Sequence, residues 1–102
     1  MNHTITLRHT DQNDSPLVKK IMDDHWGGEP LLIRDINYWP SKLPGFLAES
    51  NGKLAGFLFY EIQGQDCEIV VFETFDKFKG TGTKLLNLLI QIAQKHHCAR
   101  IY

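Results

Sequence analysis

The stretch that offers the most chemistry is Lys77-Phe78-Lys79-Gly80-Thr81-Gly82-Thr83-Lys84. A glycine-rich turn that opens a helix leaves its first backbone N–H groups without helical partners. It also presents the positive end of the helix dipole, so it suits a phosphate or pyrophosphate. Lys79 and Lys84 add positive charge, and Gly80 and Gly82 let the backbone approach a ligand with no Cβ in the way. Two familiar phosphate motifs do not fit. A dinucleotide fingerprint needs a third glycine where Leu85 stands, and a Walker loop needs Gly-Lys-Ser/Thr where the chain has Gly82-Thr83-Lys84. On the residues alone, an anion cradle and a plain strand-to-helix turn both stay open. His96-His97-Cys98 invites a metal, but adjacent side chains at a helix end diverge and the sequence offers no partner cluster, so no metal is expected.

The elements around that turn can be read from periodicity. Ile5 and Leu7 alternate with polar neighbours as a first strand with one buried face. Asp14-Ser15-Pro16 offers a cap and a first-turn proline, and Leu17, Val18, Ile21, Met22 and His25 keep helical spacing until Gly27-Gly28. Gly27, Gly28, Pro30, Pro40 and Pro44 then forbid a long helix, leaving turns around a short element at residues 31–36. Asn51-Gly52 between two apolar runs is a strong hairpin signal. A turn at Gly64-Gln65-Asp66 leads into a strand over residues 67–75, which completes a three-stranded antiparallel meander. Leu85, Leu86, Leu88, Leu89, Ile90, Ile92 and Ala93 span a wide arc, as in a helix buried along most of its length. Residues 99–102 read as a strand, and a right-handed crossover places it parallel to the strand over residues 67–75. The expected class is α/β or α+β, with flanking helices on a mixed, mostly antiparallel sheet.

Length and charge narrow the field further. The 102 residues, 42% hydrophobic, with a net charge of -1, suit one domain with one core. Eleven Lys and Arg against twelve Asp and Glu, with no basic run, leave no footprint for nucleic acid or an anionic membrane. No stretch approaches the roughly 20 apolar residues of a membrane span, and the N-terminus lacks an apolar signal core. Cys67 and Cys98 are too few for a disulfide framework, so a cytoplasmic location is expected. Each cysteine precedes one of two parallel strands, which would bring the thiols to one end of the sheet.

The order strand, helix, three-strand meander, Gly-x-Gly turn, buried helix, strand resembles the GNAT superfamily of acetyl-CoA-dependent N-acetyltransferases. The resemblance is carried by residues 79–87, by Ile90 and Ala93, and by Cys98-Ala99-Arg100-Ile101-Tyr102, which are similar to that family's acetyl-CoA motif and the strand after it. Leu43-Pro44-Gly45-Phe46-Leu47-Ala48 and Cys67-Glu68-Ile69-Val70 are similar to one bacterial branch. The resemblance covers nearly the whole chain, with two departures. Lys77 stands where the family commonly has Gln or Arg. The further helix and two strands that usually follow, often with a tyrosine acting as general acid, are not in this sequence.

The resemblance implies a function and a set of residues. Acetyl-CoA would be the acetyl donor, with its pyrophosphate on Lys79, Gly80, Thr81, Gly82, Thr83 and Lys84. Its pantetheine arm would pair with the strand at Phe72, Glu73 and Thr74. Glu68 stands where related enzymes often place a general base, and its apolar neighbours Cys67, Ile69 and Val70 would favour its neutral form. Trp26, Tyr38 and Trp39 lie in the segment that lines the acceptor cleft in proteins of this shape. The acceptor would be an amine on a small molecule or protein. The alternative is a non-catalytic, coenzyme-binding remnant, or a module that completes its sheet with a second chain through the last strand.

Overall fold

The computed structural model describes residues 4–75 and 80–102. Its elements are β1 (Ile5–His9), α1 (Ser15–Trp26), β2 (Leu31–Ile33), β3 (Ile36–Tyr38), β4 (Gly45–Ser50), β5 (Lys53–Gln63), β6 (Asp66–Thr74), α2 (Thr81–Lys95) and β7 (Arg100–Ile101). Five strands form one sheet in the order β1-β4-β5-β6-β7, antiparallel except for the parallel β6–β7 pair, while β2 and β3 make a separate hairpin. The architecture is the mixed α+β class expected from the periodicity.

Each face of the sheet is covered by one helix. Phe46, Ala48, Leu58, Tyr60 and Cys67 meet Leu85, Leu89 and Ala93 of α2. Leu47, Phe57, Phe59 and Val71 meet Val18, Ile21 and Met22 of α1. Phe46 and Leu47, or Leu58 and Phe59, point to opposite cores because successive strand residues alternate in direction.

That alternation is broken once in β6, with a consequence for the site. Phe59 pairs with Val71 and Tyr60 with Ile69, so Val70 has no residue opposite it. Such a β-bulge reverses the phase of everything downstream. Cys67 and Ile69 before the bulge share the α2 face with Phe72 after it. Glu68 and Glu73, five residues apart, would lie on opposite faces of a regular strand. The inserted residue puts both on the α1 side, where Glu68 meets Tyr38 and Glu73 meets Trp26.

Two local details depart from the sequence reading. Asp14 does not cap α1, because its carboxylate accepts from the Arg8 guanidinium at 2.9 and 3.0 Å and from the Asp11 N–H at 2.9 Å. Capping passes to Asp11, whose side chain accepts from Asn13 N–H at 2.8 Å ahead of a short 3-10 turn. The short element expected over residues 31–36 is the β2–β3 hairpin. Its two-residue turn, Arg34-Asp35, has φ of 50° and 66°.

Candidate active site

The glycine turn enters α2 directly. Gly80 is the N-cap in the left-handed region at φ 67°, and Lys84 N–H donates to Gly80 C=O at 3.0 Å. The N–H groups of Thr81, Gly82 and Thr83 therefore precede the first helical bond and have no partner within the helix. No side chain caps this end and no acidic residue sits in the first turn, so nothing on the helix competes with an incoming anion. Thr81 is buried, and its Oγ1 has no hydrogen-bond partner among the described residues. A Cβ on Gly82 would lie 3.4 Å from Phe72 Cζ and 3.6 Å from Thr74 Cγ2, which places the helix start against the C-terminal half of β6. Lys79 lies outside the described residues.

β6 offers a free edge beside that turn. Phe75 N–H donates to Ala55 C=O at 2.8 Å, and two-residue alternation turns the peptide groups of Phe72 and Thr74 toward the other edge. β7 covers only the beginning of that edge. It pairs with Asp66 and Cys67, Tyr102 N–H donates to Cys67 C=O at 3.0 Å, and Ile69 N–H donates to Tyr102 C=O at 2.6 Å. Beyond Ile69 no strand faces this edge among the described residues. An extended ligand chain has backbone groups to pair with there.

Glu68 sits on β6 where β7 ends. It is 8% exposed. It is not the carboxylate among apolar neighbours that the sequence suggested, because two polar groups hold it. Tyr38 Oη–H donates to Oε1 at 2.9 Å and the Arg34 guanidinium donates to Oε2. Burial, then the bond to Glu68, pushes the Tyr38 hydroxyl above its ordinary pKa, so it stays a donor. Tyr38 thus lies beneath the carboxylate, buried, and does not form an open cleft wall. Arg34 also lies over the Tyr102 ring at 5.2 Å, and Arg100 covers the same ring at 4.6 Å. Sequence reasoning missed Arg34; a basic residue at a hairpin tip opposite a strand carboxylate gives no signal until the topology is known.

The two tryptophans part company. Trp26 Nε1–H donates to Glu73 Oε1 at 3.0 Å, and the neighbouring His25 ring lies 4.6 Å from the Phe75 ring. The end of α1 thereby fastens the end of β6, and the Glu73 side chain belongs to the α1 face. Trp39 instead lines a cavity of about 350 Å3 with Lys19, Asp23, Glu29 and Lys42. That cavity does not include Glu68.

The cysteines are both free thiols. Cys98 packs against the cluster that holds Cys67. Burial, with a smaller contribution from Cys98, pushes the Cys67 thiol up to about 11. Among the described residues no group of three His, Cys, Asp or Glu side chains is placed to hold a metal ion, and no helix is long and apolar enough to cross a membrane.

Comparison with known proteins gives this arrangement a family. In the curated proteins, the chain is 36% identical over 78 residues to the uncharacterized protein YdhI of Bacillus subtilis (strain 168), covering 76% of this chain and 49% of that protein. The chain spans about half the length of the curated relatives it matches. Among solved structures, a ribosomal-protein-alanine N-acetyltransferase from Brucella melitensis biovar Abortus 2308 superposes with a TM-score of 0.70 at 12% identity, covering 96% of this chain and 77% of that one. A predicted acetyltransferase with acetyl-CoA from Clostridium acetobutylicum gives 0.67 at 17% identity, covering 97% and 79%. These two share the fold. The profile of the acetyltransferase (GNAT) family matches residues 11–102, and the chain belongs to that family.

Proposed function

We propose that the protein is an N-acetyltransferase that moves an acetyl group from acetyl-CoA to an amine. The observation that carries the reading is the meeting of three features on β6: an uncapped helix start against Phe72 and Thr74, an unpaired strand edge, and a buried carboxylate five residues upstream of Glu73. When bound, acetyl-CoA supplies an acetyl thioester.

The residues then divide the work. The N–H groups of Thr81, Gly82 and Thr83, with Lys84 and Lys79, hold the pyrophosphate, and Thr81 Oγ1 offers a further polar group there. Phe72 and Thr74 pair their peptide groups with the pantetheine arm. Glu68 takes the proton from the acceptor's ammonium, directly or through a water, so that the neutral amine can form its bond to the acetyl carbon while the carbon–sulfur bond breaks and the sulfur leaves as a thiol with the second proton given up by the nitrogen. Trp26 and Glu73 border the acceptor side of the same face. The free thiols suit a reducing cytoplasm.

Thermal unfolding with acetyl-CoA tests this. At about 100 times Kd the ligand adds roughly 2.7 kcal/mol, a rise of several degrees for a domain this size. Gly82→Asp sets a side chain and a negative charge among the helix-start amides and should abolish that rise. No rise in the parent chain overturns the coenzyme reading. A second reading, a coenzyme-binding module that completes its sheet with another chain, draws on β7, which among the described residues pairs with β6 alone. It predicts a coenzyme shift without turnover on any amine, together with a concentration-dependent size in solution.

A further inference from the structure

Glu68 is almost wholly hidden, yet one of its two partners reaches in from the surface. The Arg34 side chain is 59% exposed and the Glu68 side chain 10%. Arg34 and Asp35 occupy the two central positions of a hairpin turn, both at positive φ, a pairing that favours Asn and Gly. Side chains are held in this region when the surroundings over-determine it, commonly at ligand sites. Here the strained turn delivers a guanidinium to a buried carboxylate.

The hairpin is fastened differently at its two ends. At the base, Tyr38 is buried, Leu31 packs on the α1-side core, and Glu29 accepts from Ser41 N–H at 2.6 Å and Oγ–H at 2.8 Å. At the tip, Arg34 makes the attachment, through Glu68 and the face of Tyr102. Beside Glu68 lies a cavity of about 100 Å3, lined by Glu61, Gln63, Asp66, Glu68 and Tyr102. Three carboxylates line it. Asp66 is matched by Arg100 at 2.9 and 3.2 Å, so Glu61 and Glu68 leave a negative charge that Arg34 offsets only in part. The volume admits about three waters, or the head of a slim alkylammonium ion.

We propose that Glu68 is a cation seat which Arg34 fills in the ligand-free chain, and that the ammonium group of an alkylamine acceptor displaces the guanidinium and takes its place. This rests on the reading of Glu68 as facing the acceptor. Tyr38, anchored at the hairpin base, keeps Oε1 and so keeps the carboxylate aimed while Oε2 changes partner. The exchange also leaves Glu68 free to take a proton: the ammonium gives one up, the carboxylate becomes a carboxylic acid, and a neutral amine remains in the seat.

The test uses n-butylammonium chloride at fixed ionic strength, with Kd read from the NMR shifts of the Tyr38, Glu68 and Ile69 amides. Arg34→Asn removes the cation with a residue that tolerates the left-handed turn, and Arg34→Lys keeps the charge. If Arg34 covers the seat about nine-tenths of the time, Arg34→Asn binds the probe about tenfold more tightly than the parent. Arg34→Lys stays near the parent, and Glu68→Gln abolishes binding in either background. Equal affinity in the parent and Arg34→Asn, or binding that survives Glu68→Gln, overturns the proposal. No coenzyme takes part, so the outcome is separate from the acetyl-CoA shift: a chain with the seat but no shift loses the transferase reading alone.

Discussion

The chain contains two hairpin turns of the same length and the same left-handed backbone, and they differ in almost everything else. Asn51-Gly52, at φ 54° and 76°, joins β4 to β5 with residues suited to that geometry. Arg34-Asp35, at φ 50° and 66°, joins β2 to β3 with residues that are not. The first turn serves the fold, and a Cβ on Gly52 would meet nothing within 4 Å. The second carries a side chain to the buried Glu68. A turn whose residues oppose its backbone therefore marks a place where a side chain matters more than local ease.

The largest expected effect lies at the receiving end of the unusual turn. Glu68→Gln should lower kcat about a hundredfold or more at neutral pH and remove the acidic limb of the pH–rate profile. An unchanged rate and profile would reduce the Arg34 turn to a structural prop. Next comes Tyr38→Phe, which strips Oε1 of its donor in a buried site and should cost about 1.5 kcal/mol in thermal unfolding. No loss would mean that Tyr38 does not hold the carboxylate.

Smaller effects probe the turns themselves. Gly52→Asp puts an L side chain at φ 76° and should cost about 1 kcal/mol, while Asp35→Gly relieves one at φ 66° and should gain a similar amount. Equal signs for the two would erase the contrast. The smallest effect is on acid stability. The bond from Arg100 holds the Asp66 carboxyl below its ordinary value, and the Asp11 N–H, then Arg8, does the same for Asp14. Both pKa values are lower in the folded state, so the stability they add is present above about pH 4 and is lost as the pH falls through the folded values. The unfolding midpoint followed from pH 5 to pH 2 should drop. A flat curve would show that neither pair contributes.

Legibility in the sequence follows the same divide. Ile5 and Leu7, Asn51-Gly52, the residue 81–95 helix and the parallel last strand could be read because their local pattern agrees with their final structure. The glycine turn could be read because unpaired amides and absent Cβ atoms are properties of the chain itself. The β2–β3 hairpin could not, since Arg-Asp carries no turn signal. The capping by Asp11 was also hidden, because Asp14 looked like the better cap until Arg8 claimed its carboxylate from across the fold. Glu68 could be singled out by resemblance, but its partners come from 30 and 34 residues away and depend on topology.

Val70 carries a consequence of a different sort. Side chains along a strand form two interleaved series, and one unmatched residue exchanges them for the rest of its length. Removing Val70 would leave Glu68 and Glu73 four residues apart on a regular strand, an even spacing that still sets both on the α1 face and keeps Phe72 on the α2 face. Most substitutions along β6 affect one contact at a time. A deletion at this one position would remove the bulge, with its local bend and added twist, while every later residue of the strand keeps its face and its partner on β5.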